Sequence, residues 1–538
     1  NPASITVFDR AIQLNPSYYD AYFEKGLVLS DMGNYGDAVA ELSHALDVDD
    51  NKPDAHYAKG LALEALGRYD DALSSFQKTV QLDPENSPAY FNQGIVLMQL
   101  GMLRDAIKAF DTVITRLPDH AAAWHRRGIA YELLLDDQQA VESYEKARHL
   151  DPKNGELLFS EGKTFARLGK CEDAVRIFDL ALDISPDRGE LLYEKGLALI
   201  ALGHHDKAES VLEKAAVQLP EKPGPSYHRG LSLMNLERYS EAIATFTAAI
   251  SLDPENPELW YQKGTAFARL GQYQPASLAF EKALMIRGDD VSSHLGLART
   301  LVALEKHEVA IRSFDAIIEQ YPEDTVALYE KGLALYHLEK YPEALVTLKK
   351  ACALDPTNND ALYHLAASQR ILEMYPEAVG SYNILLAADS KNYSAWYELG
   401  TVLTALSRLE ESLDACDHAL HIKPDYFDAL YLRARILDRL ERLNDAVSGY
   451  NQALSVQPLH VPSLHYKGLA LSRLGRFEDA VKIFDRALEI EPTHWESLFE
   501  KGRALSSLMM YREAVRTFDK VLQLEKNHGE VYYYKGLA

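Results

Sequence analysis

Residues 461–494 read VPSLHYKGLALSRLGRFEDAVKIFDRALEIEPTH, and variants of this 34-residue pattern run along the whole chain. Position 8 of the pattern is Gly468, position 24 is the aromatic Phe484, and position 32 is Pro492. Glycine or alanine stands at position 8 every 34 residues, from Gly26 to Gly536. A fixed period of this length indicates a solenoid of stacked repeats, in which each repeat buries its apolar face against its neighbours.

The repeats follow one another without an insertion or a deletion. With Tyr19 as position 1, fifteen complete repeats cover residues 19–528. We therefore predict one continuous array over residues 1–538, with a partial repeat at 1–18 that supplies only a second helix, called helix B. A second partial repeat, residues 529–538, supplies the start of a first helix, called helix A. We expect a fragment of a longer array, whose uncapped ends are able to associate head to tail with a second copy.

Proline and glycine mark two helices in each repeat. Twelve of the twenty-two prolines stand at position 32, where they end a helix. The other ten stand at positions 1 to 3 or 18 and 19, in the first turns of two helices, where a missing N–H costs least. Glycine recurs at position 15, between the helices. Small residues at positions 8, 20 and 27 let helix A and helix B approach closely.

The composition excludes several classes of protein. The 538 residues are 47% apolar and 25% charged, which is typical of a chain that folds in water. No apolar run approaches the roughly 18 to 20 residues of a membrane helix, so we expect no membrane span. A net charge of −24 has the wrong sign for binding nucleic-acid phosphates. Three distant cysteines give no disulfide framework, and we expect a cytoplasmic protein.

The residues at positions 8, 20, 24, 27 and 32 resemble those of the tetratricopeptide repeat, a family of 34-residue helix-turn-helix units. The resemblance covers the whole chain, although the family's Trp at position 4 occurs only as Trp124, Trp260 and Trp396. The resemblance implies an all-α fold, a right-handed superhelical α-solenoid of stacked antiparallel helix pairs. It also implies that helix A of each repeat lines a concave groove that holds other proteins.

Helical geometry indicates which side of helix A faces the groove. At 100° per residue, positions 4, 7, 8 and 11 share the side of the packing glycine, and positions 2, 5, 9, 12 and 13 share the opposite side. Position 5 is aromatic in most repeats, and Tyr combines rigid apolar area with a hydroxyl. The alternative is that these rings mainly pack on neighbouring helices. We predict that a tyrosine stripe binds a protein or peptide partner, formed by Tyr57, Tyr193, Tyr227, Tyr261, Tyr329, Tyr363, Tyr397 and Tyr431.

Acidic residues occupy nine of the sixteen position-2 sites, and no basic residue stands there. Carboxylates one turn from aromatic rings would suit a partner segment that carries Lys or Arg. Carboxylates in the first turn of any helix are also stabilised by the helix dipole and need no ligand. Both interpretations remain open from the sequence.

Four arginines reverse the charge of the predicted groove towards the C-terminus. Arg435 and Arg439 stand at positions 9 and 13, Arg473 at position 13 and Arg503 at position 9 of three successive repeats. Guanidinium groups bind carboxylates and phosphates through paired hydrogen bonds. We predict a site for an anionic partner here, with a solvated surface as the alternative.

Opposite charges stand sixteen residues apart, with an acid at position 25 and a base at position 7 of the next repeat. Their number is about what chance would give, so the sequence does not show that the charges are coupled. Exposed pairs would contribute only about 0 to 1 kcal/mol each. The pairs are Asp9 and Lys25, Asp111 and Arg127, Asp179 and Lys195, Glu213 and Arg229, Asp315 and Lys331, Asp417 and Arg433, Asp485 and Lys501, and Asp519 and Lys535.

Signals for catalysis and metal binding are weak. Cys416, His418 and His421 are close in sequence, but Cys416 and His418 fall on different sides of helix B, so we expect no metal site. No phosphate loop, serine elbow or dinucleotide fingerprint occurs. We therefore predict no cofactor and no enzymatic activity.

Three functions remain for an array of this kind. The first is a non-enzymatic protein–protein interaction scaffold that binds extended or helical partner segments in its groove. The second is a recognition arm of a larger enzyme or assembly whose catalytic domain lies outside this chain. The third is a chaperone adaptor that binds C-terminal carboxylates. By the family resemblance that adaptor needs Lys at position 5, Asn at positions 9 and 6, and a base at positions 2 and 6 of successive repeats. Lys at position 5, Asn at position 9 and a base at position 2 never occur, so we reject it despite Asn92 and Arg126 at position 6.

Overall fold

The computed structural model describes residues 2–526 and 528–538. This part of the chain contains 32 α-helices and no strand. It forms two compact bodies, an N-terminal body, Asn1–Gln272, and a C-terminal body, Tyr273–Ala538. In both bodies helix A occupies positions 1 to 13 of a complete repeat and helix B positions 17 to 30. The predicted all-α solenoid of stacked antiparallel helix pairs is confirmed.

The even-numbered helices are A helices and the odd-numbered helices are B helices. The helices of the N-terminal body are α1 (Pro2–Leu14), α2 (Tyr19–Asp31), α3 (Tyr35–Val48), α4 (Pro53–Ala65), α5 (Tyr69–Leu82), α6 (Ser87–Gln99), α7 (Leu103–Arg116), α8 (Ala121–Leu133), α9 (Asp137–Leu150), α10 (Gly155–Arg167), α11 (Cys171–Ile184), α12 (Gly189–Ala201), α13 (His205–Gln218), α14 (Pro223–Asn235), α15 (Tyr239–Leu252) and α16 (Pro257–Arg269).

The same alternation continues in the C-terminal body. Its helices are α17 (Tyr273–Ile286), α18 (Val291–Ala303), α19 (His307–Gln320), α20 (Thr325–His337), α21 (Tyr341–Leu354), α22 (Asn359–Ile371), α23 (Tyr375–Ala388), α24 (Tyr393–Ala405), α25 (Leu409–Ile422), α26 (Phe427–Arg439), α27 (Leu443–Val456), α28 (Val461–Arg473), α29 (Phe477–Ile490), α30 (Trp495–Ser507), α31 (Tyr511–Leu524) and α32 (Gly529–Leu537).

The turn between helix A and helix B has one backbone geometry throughout. Position 15 has a positive φ of 72° to 76° in the seven repeats where it is glycine, including Gly33 and Gly475. Eight repeats place another residue there with φ between 58° and 62°, including Glu237 and Leu135. This conformation is unfavourable for side chains other than glycine. The turn is therefore fixed by the helices on either side, and glycine only makes it easier to form.

The packing between helix A and helix B depends on the small residue at position 8. A Cβ atom added to Gly468 would lie 2.5 Å from the ring of Phe484 at position 24. Phe484 is fully buried, as are Ala480 and Ala487 at positions 20 and 27. Glycine therefore lets the two helices close on the aromatic ring, as the sequence predicts.

The A helices form the more closely packed of the two layers. Consecutive A helices from α2 to α16, and from α20 to α30, contact each other directly. Consecutive B helices make no comparable contact within the described residues. Because elements on the inside of a curved stack approach each other most closely, the A helices lie on the inner side of each body.

All eight charge pairs noted in the sequence form ion pairs in the structure. The nitrogen and oxygen atoms lie no more than 2.8 Å apart, as in Lys25 with Asp9 and Arg127 with Asp111. Each pair joins helix A of one repeat to helix B of the repeat before it. Both partners are partly exposed, so each pair contributes about 0 to 1 kcal/mol.

The helices are also short. No helix within the described residues is both long enough and apolar enough to cross a bilayer.

Candidate functional site

The tyrosine stripe lies on the inner layer, and all eight of its rings are half-buried. Where position 24 of the same repeat is aromatic, the tyrosine contacts that ring: the centroids of Tyr57 and Phe76 are 5.9 Å apart, and those of Tyr227 and Phe246 are 6.3 Å apart. Part of each stripe ring is therefore packed on the protein, and part of it stays accessible.

Several hydroxyls of the tyrosine stripe are held by the next helix A. Asn92 Nδ2 donates to Tyr57 Oη at 2.8 Å, and Tyr193 Oη lies 3.1 Å from His228 Nδ1. Burial, helped by the carboxylate of Glu258, raises the pKa of Tyr227 to about 12, so its hydroxyl keeps its proton. Part of each ring is thus packed on the protein, and the hydrogen bonds hold Tyr57 and Tyr193 in place.

Further aromatic residues extend this surface in the C-terminal body. Tyr336, at position 12 of α20, meets Tyr341 and His364 edge-on, with ring centroids 5.4 Å apart in both cases. His337 stacks on His307 at 5.5 Å. The sequence analysis missed this cluster because it considered aromatic residues at position 5 alone. Positions 6, 12, 13 and 17 of neighbouring repeats, taken together, contain all of its residues.

Two of the four predicted groove arginines are neutralised by carboxylates. Arg473 pairs with Asp438 and with Glu441, both at 2.7 Å. Arg503 pairs with Glu500 at 3.0 Å and lies 5.0 Å from the ring centroid of Tyr534. The positive charges of Arg473 and Arg503 are therefore balanced by carboxylates of the chain itself.

The other two arginines have a different environment. The guanidinium carbon of Arg435 lies 3.7 Å from the ring centroid of Tyr466, and Arg435 Nη1 donates to Tyr431 Oη at 3.2 Å. Arg439 is exposed and reaches the backbone carbonyl of Thr404 at 3.4 Å. The structure thus divides the four predicted arginines into two that are paired with acids and two that are not.

A partly buried histidine lies beside this part of the surface. His465, at position 5 of α28, shares a 3.0 Å hydrogen bond with Ser497 Oγ. Burial, together with the nearby His494 and Arg435, lowers the pKa of His465 to about 4. His465 is therefore neutral near pH 7 and leaves the positive charge to the arginines.

Two position-2 carboxylates are engaged by a basic side chain at the end of their own repeat. Glu156 pairs with Arg188 at 2.9 Å, and Glu190 pairs with Lys222 at 3.5 Å. The pKa of Glu190 is lowered first by a hydrogen bond from its own backbone N–H and then by Lys222. These contacts favour the interpretation that the carboxylates of Glu156 and Glu190 stabilise the N-terminal ends of their helices.

The described residues contain no group of three or more His, Cys, Asp or Glu side chains arranged for a metal ion. Cys416 is fully buried, and burial raises the pKa of its thiol to about 12. His418 instead stacks on Trp396 with ring centroids 4.4 Å apart. The two side chains therefore have separate structural contacts.

Solved structures of several repeat proteins are similar to this chain. YrrB, a TPR protein with an unusual peptide-binding site, is 25% identical over 34% of this chain and 95% of its own, with a TM-score of 0.32. MamA from Desulfovibrio magneticus RS-1 is 24% identical over 32% of this chain and 96% of its own, with a TM-score of 0.31. A chain of the APC/C heterotetramer Cut9–Hcn1 is 15% identical over 93% of this chain and 99% of its own, with a TM-score of 0.33.

The comparison with curated protein sequences finds no match. Sequence models described as tetratricopeptide repeat match more than half of the chain. The matched residues are 23–87, 159–224, 227–291, 295–359 and 372–427 for one model, 63–126 for a second, and 121–154 and 461–494 for a third. Together with the 34-residue helix pairs and their packing, these matches establish that the chain belongs to the tetratricopeptide repeat family.

Proposed function

We propose that this chain is a non-catalytic scaffold that binds extended or helical segments of partner proteins along its inner layer of A helices. The observation that carries this proposal is the tyrosine stripe, whose half-buried rings recur at one position of successive A helices. Its family is, in general, a protein-interaction fold without catalytic activity, which agrees with this function.

The fixed geometry of the rings favours binding. A side chain that is already immobile loses little conformational entropy when a partner covers it. Tyr193 is immobilised by the core beneath it and by its hydrogen bond to His228. Tyrosines of this kind contribute apolar contact area and a hydroxyl at the same time, as is common at the centres of protein interfaces.

Changing Tyr193, Tyr227 and Tyr261 together to Ala should weaken the binding of partner peptides by at least about tenfold, because three neighbouring anchors are lost. Peptides selected from a random phage-displayed library against the immobilised chain provide the ligands. Their dissociation constants for the original chain and for the variant are measured by fluorescence anisotropy.

The matched control changes three exposed apolar residues on the B helices of adjacent repeats, Leu180, Val217 and Leu252, to Ala. This control should bind the peptides as the original chain does. Circular dichroism of each variant shows whether its helices are intact, which we expect because the stability of a repeat array is nearly a sum of local contributions. Equal binding by the tyrosine variant and the original chain would disprove the proposed surface.

We also propose that copies of this chain associate head to tail. The first and last described helices expose apolar side chains: Leu14 is 73% exposed in α1, and Tyr532 is 56% exposed in α32. Such a contact joins different surfaces and does not close on itself, so assemblies should grow with concentration.

The double variant Leu14→Glu and Tyr532→Glu should abolish this association, because it places a charge on each of the two apolar ends. Light scattering across a concentration series should show growth for the original chain and a constant mass for the variant. Val217→Glu, on the exposed side of α13, adds a charge elsewhere and should leave the growth unchanged. A constant monomer mass of the original chain at millimolar concentration would reject self-association.

A further inference from the structure

The inner surface of the C-terminal body carries six arginines at positions 9, 12 or 13 of its A helices. Four of them form ion pairs with carboxylates of the same surface. These pairs, with N–O distances of 2.5 to 3.0 Å, are Arg299 with Glu330, Arg370 with Glu398, Arg473 with Asp438, and Arg503 with Glu500. Within the described part of the chain, no carboxylate lies within ion-pairing distance of Arg435 or Arg439. These two cations differ from the others by lacking a counter-charge.

Arg435 is held in place without being neutralised. Its guanidinium plane lies over Tyr466, with the guanidinium carbon 3.7 Å from the ring centroid, and one nitrogen donates to Tyr431. Both partners are neutral, so the full positive charge remains. A guanidinium group carries five N–H donors, and a single bond to Tyr431 leaves the others for a ligand. Arg435 is therefore a pre-oriented cation that lacks an anion.

Arg439 lacks a partner because the repeat before it departs from the pattern. A position-13 arginine reaches position 12 of the preceding repeat, as Arg473 reaches Asp438 and Arg167 reaches Glu132. The residue at that place before Arg439 is Thr404, and Arg439 finds only its backbone carbonyl. Thr404 thus leaves unpaired a charge that an acid neutralises in two other repeats.

Arg435 and Arg439 lie one helical turn apart on the same face of α26. Their guanidinium groups contact the helices on either side of α26, because Arg435 lies over Tyr466 of α28 and Arg439 contacts the carbonyl of Thr404 of α24. The nearby carboxylate of Asp438 is bound by Arg473. Asp428 lies seven residues before Arg435, about 10 Å along the helix axis. An acidic segment that crosses α26 therefore meets two cations without a counter-charge before it meets an unpaired carboxylate.

We propose that Arg435 and Arg439 together bind an acidic segment of a partner protein that crosses α26, with one anionic side chain of the segment at each guanidinium group. This inference rests on the proposed scaffold function and names the chemistry of one of its partners. Side-chain carboxylates and phosphoserine each offer a pair of anionic oxygens that a guanidinium fork can bind through two hydrogen bonds. The aromatic rings of Tyr431 and Tyr466 border the site and offer apolar contact to the rest of the segment.

The test uses the full chain and three labelled peptides: hexaglutamate, its hexaglutamine counterpart, and a glycine-serine peptide with two phosphoserines. We expect hexaglutamate to bind and hexaglutamine not to bind in fluorescence anisotropy. Affinity should fall about tenfold or more as salt rises from about 50 to about 500 mM, because the contact is electrostatic. Tighter binding of the phosphoserine peptide would identify phosphate as the preferred anion, and tighter binding of hexaglutamate would identify carboxylate. In either case the anion site stands.

The double variant Arg435→Gln and Arg439→Gln should lower the affinity for hexaglutamate at least about tenfold. Arg442→Gln is the matched control, because Arg442 belongs to the same repeat but is paired with Asp445 at 3.1 Å. It should bind as the original chain does. Arg435→Lys keeps the charge but loses the planar fork. Its affinity for hexaglutamate should therefore lie between that of the original chain and that of the double variant.

Absence of hexaglutamate binding to the original chain, or equal loss in the Arg442 control and the double variant, would overturn the proposal. The proposed scaffold function is tested separately, at tyrosines of the N-terminal body. The two proposals can therefore fail independently.

Discussion

Replacing Gly128 with Leu should destabilise its repeat by about 3 kcal/mol or more, at the upper end of the range for overpacked cores. Any Cβ at Gly128 would collide with the ring of Tyr144, which is fully buried. The ring has little freedom to move aside, because Tyr144 Oη donates to Glu132 Oε2 at 2.8 Å. Hydrogen exchange of α8 and α9, read by mass spectrometry, should show faster exchange in these two helices than in distant repeats.

Gly400→Ala is the matched control for this prediction. Position 24 of its repeat is Cys416, and a Cβ at Gly400 would lie 3.2 Å from the sulfur, a contact that a small shift relieves. Alanine also favours a helix interior over glycine by about 0.5 to 1 kcal/mol. The free energy of local opening in α24 and α25 should therefore change by less than about 1 kcal/mol. A loss of stability as large as that caused by Gly128→Leu would show that the size of the side chain at position 24 does not determine how strongly a substitution at position 8 destabilises the repeat.

Changing Arg148 to Leu should destabilise the junction between α9 and α10 by about 3 kcal/mol near pH 8, the usual cost of leaving a buried charge without its partner. The side chain of Glu161 has no exposed surface, and Arg148 Nε donates to its two oxygens at 2.9 and 3.1 Å. Burial raises the pKa of Glu161 to about 7, and Arg148 opposes that rise. Removing Arg148 therefore raises the pKa of Glu161 further.

The loss of stability that Arg148→Leu causes should be smaller near pH 5 than near pH 8. A carboxyl whose pKa is higher in the folded protein than in the unfolded chain stabilises the fold below its unfolded pKa. That stabilisation is lost as the pH rises through its folded pKa. Glu161 binds a proton near pH 5 and is then no longer a buried charge. Hydrogen exchange of α9 and α10 at the two pH values, each compared with the original chain, measures the difference.

The double variant Arg148→Leu and Glu161→Lys should recover the lost stability or exceed it. Position 28 is aliphatic in most other repeats, and position 7 is mostly basic. The lysine introduced at position 7 would face Glu145 at position 25, as the eight regular ion pairs do. Replacing a buried ion pair by well-packed apolar groups is often neutral or stabilising, by about 1 to 4 kcal/mol. A double variant no more stable than Arg148→Leu alone would contradict this account.

The helices could be predicted from the sequence because local signals agree in every repeat. Prolines at positions 1 to 3, 18 and 32 mark helix ends, and the small residue at position 8 marks the contact with position 24. The positive φ of the residues other than glycine at position 15 could not be predicted. Glu237 and Leu135 carry no sequence signal for a positive φ, since the two flanking helices impose that conformation on them.

The candidate site could be predicted only in part, because a single helix face does not show what the neighbouring repeat contributes. The half-burial of the tyrosine stripe depends on side chains 19 residues ahead, as in Tyr57 and Phe76. The neutralisation of Arg473 depends on Asp438, 35 residues earlier. Arg439 and Arg473 differ because Thr404 and Ser407 stand where Arg473 has the acids Asp438 and Glu441. This difference can be predicted only once position 13 is known to reach the preceding repeat.

Within each body, the described helices of a repeat contact those of adjacent repeats. Equivalent positions of the 34-residue pattern recur at most of these junctions. In genetic terms, the loss or duplication of thirty-four codons inside either body rejoins a helix B to a helix A that already carries the matching residues. By contrast, the loss of one codon inside a helix rotates all residues beyond it by about 100° and moves a position-8 glycine away from its partner ring. Deletions and duplications can therefore change the length of such an array by whole repeats far more easily than they can change the spacing within a repeat.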